Sequence, residues 1–242
     1  MVEVRDVTLH KEDLVVVKNV TFDVRAGEIF VILGRSGAGK TTLLRALIGL
    51  EEPSAGEIST LGRSPGRAVS GPPGYGVAFQ SGALFGSLTV GENVALPLEN
   101  WTTLPREVVG AIVCAKLHVV GLHGATAQLP SELSGGMKNR AAIARAMALE
   151  PPLLFLDEPS AGLDPVSSTA LDELLLLLNR DLGLTVVIVS HELASIFRIA
   201  TRCIMLDKAS QGVIAIGDPR ELRDESSDPR VREFFNPVRE AR

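Results

Sequence analysis

A chain of 242 residues, 45% of them hydrophobic, can bury a sizeable core as one large domain, or as one domain with an inserted subdomain. Its formal net charge of −5 is opposite to the balance typical of nucleic-acid-binding proteins, so we expect no nucleic-acid partner. Two distant cysteines and no apolar run near the ~20 residues that span a bilayer indicate a cytosolic protein that reaches a membrane only through partners.

The N-terminal part is predicted to contain two strands followed by a strand–loop–helix unit. Residues 2–9 and 14–24 are rich in valine and alternate in polarity, as half-buried strands do. Residues 29–33 form a continuous apolar run, which is typical of a buried parallel strand. The glycine-rich residues 34–39 follow, and the apolar spacing of residues 40–50 predicts a helix.

The middle of the chain is predicted to be mainly helical. Residues 62–76 are rich in glycine and proline, so we expect a loop or a frayed hairpin there, followed by a brief strand at 77–79. Strand signals then vanish and helical periodicity dominates. We interpret residues 86–150, approximately, as an inserted helical subdomain.

Strands and helices alternate again in the last third of the chain. The pattern predicts a buried strand, a helix, a strand, a closing hairpin and a charged helix, at residues 153–156, 166–182, 185–189, 204–216 and 219–235 respectively. This alternation predicts an α/β fold with a mostly parallel core sheet. We expect residues 1–225 to form a single domain and residues 226–242 to form a charged C-terminal tail.

A phosphate-binding loop is predicted between the third strand and the first helix. The sequence fits G-x-x-x-x-G-K-[ST] with Gly34, Arg35, Ser36, Gly37, Ala38, Gly39, Lys40 and Thr41. Glycines let successive backbone N–H groups face phosphate oxygens, and the N-terminus of the helix favours the same anion. Lys40 supplies a charge to the β- and γ-phosphates, Thr41 supplies a hydroxyl to Mg²⁺, and Thr42 completes the nucleotide-binding candidates.

A pair of acids follows the apolar strand at residues 153–156. Ligands of open α/β sheets lie beyond the carboxyl ends of the strands, so this strand delivers its acids to the nucleotide. Asp157 suits a contact to Mg²⁺, and Glu158 suits the general base that activates the attacking water. An exposed acidic turn would be the alternative if the phosphate-binding loop were absent.

The segment Leu133–Met137, which precedes a helix predicted from Lys138, resembles the L-S-G-G-Q signature of the ABC cassettes, with methionine in the last place. Three further residues stand in the order of that family's motifs. Gln80 ends a short strand as the Q-loop glutamine does, Asp164 lies in a segment similar to the D-loop, and His191 follows a strand as the switch histidine does.

The resemblance implies a P-loop NTPase of the ABC-cassette type, with an N-terminal antiparallel β subdomain, that binds ATP and Mg²⁺. It implies that Gln80 contacts the metal and senses a permease, and that His191 contacts the γ-phosphate. Ser134, Gly135 and Gly136 would meet the γ-phosphate of the ATP held by another copy of the chain, so the family's homodimer is expected. Asp164 is a further nucleotide-binding candidate.

The family's usual aromatic residue that stacks on adenine is missing from residues 9–13. The candidates that remain to cover the base are His10, Lys11 and Val16.

Among ABC cassettes the chain is most similar to the ATPases of Mla, or MCE-protein, lipid-transport systems. The segments that carry this similarity are residues 79–85, 130–137 and 228–235. It implies a peripheral subunit on the cytoplasmic face of the inner membrane, with an integral permease and an MCE-type lipid-binding protein as partners. The alternatives are an ABC transporter for amino acids or organic solvents, and an ATP-dependent regulatory clamp. A DNA-repair or translation protein would need two cassettes or a long coiled coil.

Overall fold

The structure is a computed structural model that describes residues 1–12, 14–66 and 71–236. The strands are β1 (Val2–Lys11), β2 (Leu14–Val24), β3 (Ile29–Gly34), β4 (Ala55–Thr60), β5 (Tyr75–Ala78), β6 (Leu153–Asp157), β7 (Thr185–Val189), β8 (Arg202–Asp207) and β9 (Gly212–Gly217). The α-helices are α1 (Lys40–Leu47), α2 (Val90–Trp101), α3 (Arg106–Val119), α4 (Gly135–Ala146), α5 (Pro165–Leu182), α6 (Leu193–Ile199), α7 (Pro219–Glu225) and α8 (Pro229–Phe235).

The chain divides into two compact units. The first comprises Met1–Arg67 and Val187–Arg242, and the second comprises Ala68–Val186. In the first unit, β1 pairs antiparallel with both β2 and β4, in the order β2-β1-β4. This sheet is the expected N-terminal antiparallel β element, and alternate residues of β1, such as Val2 and Val4, are buried. The third strand, β4, was not predicted, because its sequence AGEIST has little apolar alternation.

The first unit also contains the strand that leads into the glycine-rich loop. All six residues of β3 are buried, and β3 runs parallel to β8, which pairs antiparallel with β9. Helix α1 ends at Leu47, three residues before the predicted end, because Gly49 takes a left-handed conformation (φ 74°) that stops the helix.

The C-terminal part of the first unit differs from the prediction of one helix over residues 219–235. The structure has two helices there, because Asp228 caps the N-terminus of α8 and Pro229 lacks the N–H that a continuous helix needs. Val231 and Phe235 of α8 are buried. The last part of the predicted tail, residues 237–242, lies outside the described residues, as do Asp13 and residues 67–70 of the predicted loop.

In the second unit β5 and β6 are parallel neighbours, with a register that runs from Tyr75 beside Leu153 to Ala78 beside Leu156. The predicted strand at 77–79 therefore begins two residues earlier. Helices α2, α3 and α4, with a short 3₁₀ turn at Pro130–Glu132, follow β5 and account for the helical periodicity of residues 86–150. Helix α5 buries the predicted leucine stripe, which comprises Leu171, Leu174, Leu175 and Leu178.

Strand β7 begins in the second unit and ends in the first. The N–H of Thr185 donates to the carbonyl of Pro152, just before β6, and the N–H of Ser190 donates to the carbonyl of Ile32 in β3. The pairings β3–β8 and β5–β6 are parallel and β8–β9 is antiparallel, which confirms an α/β fold with mostly parallel core strands. Among the helices of the described residues, none is long and apolar enough to cross a membrane.

Candidate functional site

The glycine-rich loop between β3 and α1 has the conformation that a phosphate cradle needs. Gly37 and Gly39 lie in the left-handed region, with φ of 77° and 91°. A Cβ atom on Gly39 would come within 2.8 Å of a side-chain methyl carbon of Val16 and of one of Val17, and one on Gly34 within 2.4 Å of the carbonyl oxygen of Leu206. The loop therefore tolerates only glycine at these places, and its geometry fits the di- and triphosphate chain of a nucleotide.

Lys40 begins α1 and is buried, with only 8% of its surface exposed. Its ammonium donates to the carbonyl oxygen of Gly34 at 3.0 Å and to that of Arg35 at 3.4 Å. The ammonium of Lys40 is thus held inside the loop by the carbonyl groups at the start of that loop. Because the N-terminal N–H groups of α1 open on the same loop, the cradle combines a fixed cation with a helix N-terminus, which is the chemistry that binds phosphate.

The predicted metal and water ligands of the second unit follow two neighbouring strands. Ala78 of β5 is paired in register with Leu156 of β6, so Gln80 and Glu158 each lie two residues beyond the same rung of the sheet. Asp157 ends β6 and is buried. Carboxylate and amide oxygens at one edge of a parallel sheet form a donor set that suits Mg²⁺ and its bound water. Gln80 does not end a strand as predicted, because β5 stops at Ala78 and a 3₁₀ turn begins at Gln80.

Glu158 is held in an unusual backbone conformation. Its φ of 48° lies in the left-handed region, which is uncommon for a residue with a side chain and recurs at functional sites. The next carbonyl, that of Pro159, accepts a hydrogen bond of 2.5 Å from the side-chain amide of Asn139, a buried residue of α4. Asn139 thereby fixes the turn that carries Glu158. This role was not predicted, because an asparagine inside a helix carries no local signal in the sequence.

Ser134 is the N-cap of α4, and its hydroxyl accepts a hydrogen bond of 3.3 Å from the N–H of Met137. The helix begins at Gly135 rather than at Lys138 as predicted, because the cap fixes its start. A Cβ atom on Gly135 would lie 3.3 Å from a methyl carbon of Leu163, so a larger residue there would press on the segment before α5. The cap and the two glycines form a second helix N-terminus suited to an anion.

Asp164 caps the N-terminus of α5. One carboxylate oxygen accepts from the N–H groups of Val166 and Ser167 at 3.0 Å, and the other accepts from the Ser167 hydroxyl at 2.5 Å. The hydrogen bonds from Ser167 lower the pKa of this carboxyl below its ordinary value. Asp164 is therefore held ionised as a cap, and its neighbours Leu163 and Ser167 lie against Gly135 and Gly136 of the α4 terminus.

The turn that carries Gln80 is supported by a residue of α4 that was not predicted to belong to the site. Arg145 of α4 donates to the carbonyl oxygens of Gly82 and Ala83 at 3.0 Å and 2.9 Å. Gly82 also packs closely on α4, since a Cβ atom there would lie 2.9 Å from the carbonyl oxygen of Lys138. Burial lowers the pKa of Arg145. The sequence gives no sign of this supporting role, because Arg145 resembles any other charged residue on a helix.

His191 follows β7 in the first unit and is exposed. Among the three candidates for covering adenine, Val16 lies against the cradle at Gly39, whereas the ring of His10 forms a hydrogen bond of 2.7 Å with the Ser54 hydroxyl. The first unit thus contains the cradle, Val16 and His191. The second unit contains the remaining predicted site residues, which are Gln80, Ser134, Gly135, Gly136, Asp157, Glu158 and Asp164.

The glycine-rich loop with its buried lysine, the acids at the end of β6 and the capped helix N-terminus at Ser134 are each features expected of a P-loop ATPase of the cassette class. Comparison with known proteins agrees. The chain belongs to the ABC transporter family, whose model matches residues 17–161, and it is an ATP-binding and ATP-hydrolysing cassette of that family.

Curated relatives cover nearly the whole chain. The chain is 41% identical over 98% of its length to the intermembrane phospholipid transport system ATP-binding protein MlaF of Escherichia coli K12, covering 89% of that protein. The corresponding protein of Haemophilus influenzae is 42% identical over 97% of this chain and 90% of its own. A probable ribonucleotide transport ATP-binding protein, mkl of Mycobacterium leprae, is 38% identical over 90% of this chain and 64% of its own.

Solved structures share the fold. The dimeric structure of MJ0796, a bacterial ABC transporter cassette, superposes with a TM-score of 0.80 at 29% identity, covering 90% of this chain and 98% of the other. The ABC transporter component cbiO1 of Clostridium perfringens gives a TM-score of 0.82 at 28% identity, covering 93% and 90%. Both comparisons confirm the cassette architecture predicted from the sequence.

Proposed function

We propose that this chain is the motor subunit of a transporter that moves phospholipid between membranes. It works as a homodimer on the cytoplasmic face of the inner membrane, with an integral permease and an MCE-type lipid-binding protein. The observation that carries the proposal is the near-complete similarity, at 41% and 42% identity, to two proteins named for intermembrane phospholipid transport.

ATP binding is assigned to the first unit. The N–H groups of the loop from Gly34 to Gly39 surround the phosphates, and Lys40 neutralises the β- and γ-phosphate charge. Thr41 and Thr42, the next residues of α1, supply hydroxyls, and Val16 offers an apolar contact to the base. Two left-handed glycines and a buried ammonium in one loop support this assignment.

Hydrolysis is assigned to Thr41 of α1 and to residues at or just beyond the ends of β5, β6 and β7. Mg²⁺, held by Thr41, Asp157 and Gln80, would neutralise charge on the phosphates. Glu158 accepts the proton of the attacking water, and His191 positions the γ-phosphate. The strained turn at Glu158 and its hydrogen bond from Asn139 support this role, because a general base needs a fixed position.

We further propose that each ATP is enclosed by two copies of the chain, the cradle of one and Ser134, Gly135 and Gly136 of the other. One cradle and one signature per chain, together with the dimeric form of the similar cassette MJ0796, support this arrangement. Mixed dimers test it. If one protomer carries Lys40→Ala and the other Ser134→Arg, both lesions fall on one composite site and the second site still traps nucleotide. Absence of any trapping in the mixed dimer would refute the arrangement.

The proposed permease contact is an apolar groove in the second unit. It has a volume of about 500 Å³ and is lined partly by Tyr75, Phe79, Phe85, Pro97 and Trp101. Phe85 and Trp101 are 58% and 48% exposed and line the same groove, so they form a contiguous aromatic surface rather than isolated exposed side chains. The groove is lined by Phe79, the neighbour of Gln80 in the chain, so an amphipathic helix of the permease seated there would act directly on the Gln80 turn.

The cargo assignment is tested by purifying the complex from cells through a tag on this chain. We expect an integral permease, an MCE-type protein and phospholipid enriched over a detergent control. Recovery of a permease with a different class of solute-binding protein, and without enriched lipid, would refute the lipid assignment but not the ATPase. The similarity to a probable ribonucleotide transport protein makes nucleotide cargo the alternative that this experiment decides.

A further inference from the structure

The C-terminal helix α8 is firmly attached to the first unit. Its apolar residues Val231 and Phe235 are 0% and 3% exposed, and the ring of Phe235 lies 5.5 Å from that of Phe197. Arg230 forms an ion pair of 2.9 Å with Asp207, the last residue of β8. Burial of Val231 and Phe235 therefore anchors α8, and the ion pair of Arg230 fixes the start of the helix to the end of β8.

This anchored helix contacts the phosphate-binding loop. Glu233, which lies between the two buried residues of α8, forms an ion pair of 2.6 Å with the guanidinium of Arg35, the second residue of the loop. The backbone carbonyl oxygen of Arg35 also accepts a hydrogen bond from the ammonium of Lys40. Arg35 is thus held twice, through its side chain by α8 and through its backbone by the residue that binds phosphate.

We propose that Glu233 is a positioning residue for ATP binding, which acts through Arg35 on the geometry of the Lys40 loop. Exposed ion pairs usually contribute little, because ordering two flexible side chains offsets the attraction. Here burial of Val231 and Phe235 fixes the backbone that carries Glu233, while the side chains of Arg35 and Glu233 are 64% and 61% exposed, so we expect an effect no larger than that of an exposed ion pair. Helix α8, which was predicted to belong to a charged C-terminal tail, then helps to hold the nucleotide site in its binding geometry.

Two effects of removing this charge act in opposite directions. Loss of a carboxylate near the loop would by itself favour an anionic ligand and tighten ATP binding. Loss of the restraint on Arg35 lets the loop and Lys40 leave the binding geometry, which weakens ATP binding. The direction in which the Kd for ATP changes therefore distinguishes the two roles: a higher Kd indicates positioning, and a lower Kd indicates only a contribution to the electrostatic potential.

The test uses the full-length chain with Glu233→Gln, and Glu225→Gln, which removes the same charge from the end of α7, as the matched control. We expect Glu233→Gln to raise the Kd and KM for Mg-ATP about 2- to 5-fold, the range of an exposed ion pair, with kcat unchanged. The effect should disappear in 0.5 M salt, roughly, because salt screens exposed pairs. Glu225→Gln should behave like the unmodified chain.

A double-mutant cycle with Arg35→Gln completes the test. We expect Glu233→Gln to have no further effect once Arg35 is replaced. An unchanged or tighter Kd in Glu233→Gln, or the same weakening in the Arg35→Gln background, would overturn the proposal. The inference rests on the assignment of the Lys40 loop as the ATP site, and Lys40→Ala tests that separately. If Lys40→Ala abolishes binding and Glu233→Gln does nothing, only the positioning role fails.

Discussion

Replacing Arg145 with methionine should loosen the turn that carries Gln80. The change removes two hydrogen bonds, of 3.0 Å and 2.9 Å, from a guanidinium to the carbonyl oxygens of Gly82 and Ala83, while most of the apolar stem is kept. Hydrogen bonds to charged groups contribute about 1.5–3 kcal/mol each, but the freed carbonyls can be hydrated at the surface. We therefore expect a net loss of about 2 kcal/mol, which lowers the Tm of a chain of this size by about 4–8 °C.

The assay for Arg145→Met combines thermal unfolding with ATPase activity, alone and in the presence of the permease. We expect affinity for ATP without Mg²⁺ to be retained, because the change does not touch the Lys40 loop. We expect stimulation by the permease to fall, because Gln80 and the groove at Phe79 share the loosened turn. Arg106→Met, an exposed residue at the start of α3, is the control. A Tm within about 1 °C of the unmodified chain, less than 0.5 kcal/mol, would refute the structural role of Arg145.

Three further predictions concern chemistry. Glu158→Gln should bind Mg-ATP but hydrolyse it about 10²–10⁴-fold more slowly, because a general base is lost with little change of shape, and a steady-state rate near that of the unmodified chain would remove Glu158 from the role. Lys40→Ala should instead weaken nucleotide affinity itself, measured by titration calorimetry, because it deletes the phosphate-binding charge. Burial, with a smaller contribution from the charge of Asp218, raises the pKa of the Cys203 thiol to about 12, so it stays protonated at pH 8. A thiol reagent should then label only the exposed Cys114 in the folded chain, and rapid labelling of both cysteines would contradict the structure.

Much of the fold was predictable because its signals are local. Strands β3, β6 and β7 are apolar at nearly every position and are completely buried, so their sequences predict them within one residue. The glycine-rich loop is equally local, since the steric freedom of Gly37 and Gly39 is a property of those residues alone. The stripe of leucines likewise predicted α5 to within one residue of its observed start.

The tertiary structure decided what depends on contacts between distant residues. Strand β4 has a weak pattern of its own and forms because β1 supplies its hydrogen bonds. Asn139 and Arg145 resemble ordinary polar residues of a helix until the turns after β6 and β5 are packed against α4. Among these contacts of the described residues, Arg35 and Glu233 are the farthest apart in the chain, by 198 residues. Their ion pair exists only because burial of Val231 and Phe235 brings α8 to the phosphate-binding loop. Sequence by itself therefore determined the chemistry of the loop, whereas packing determined which side chains hold it in place.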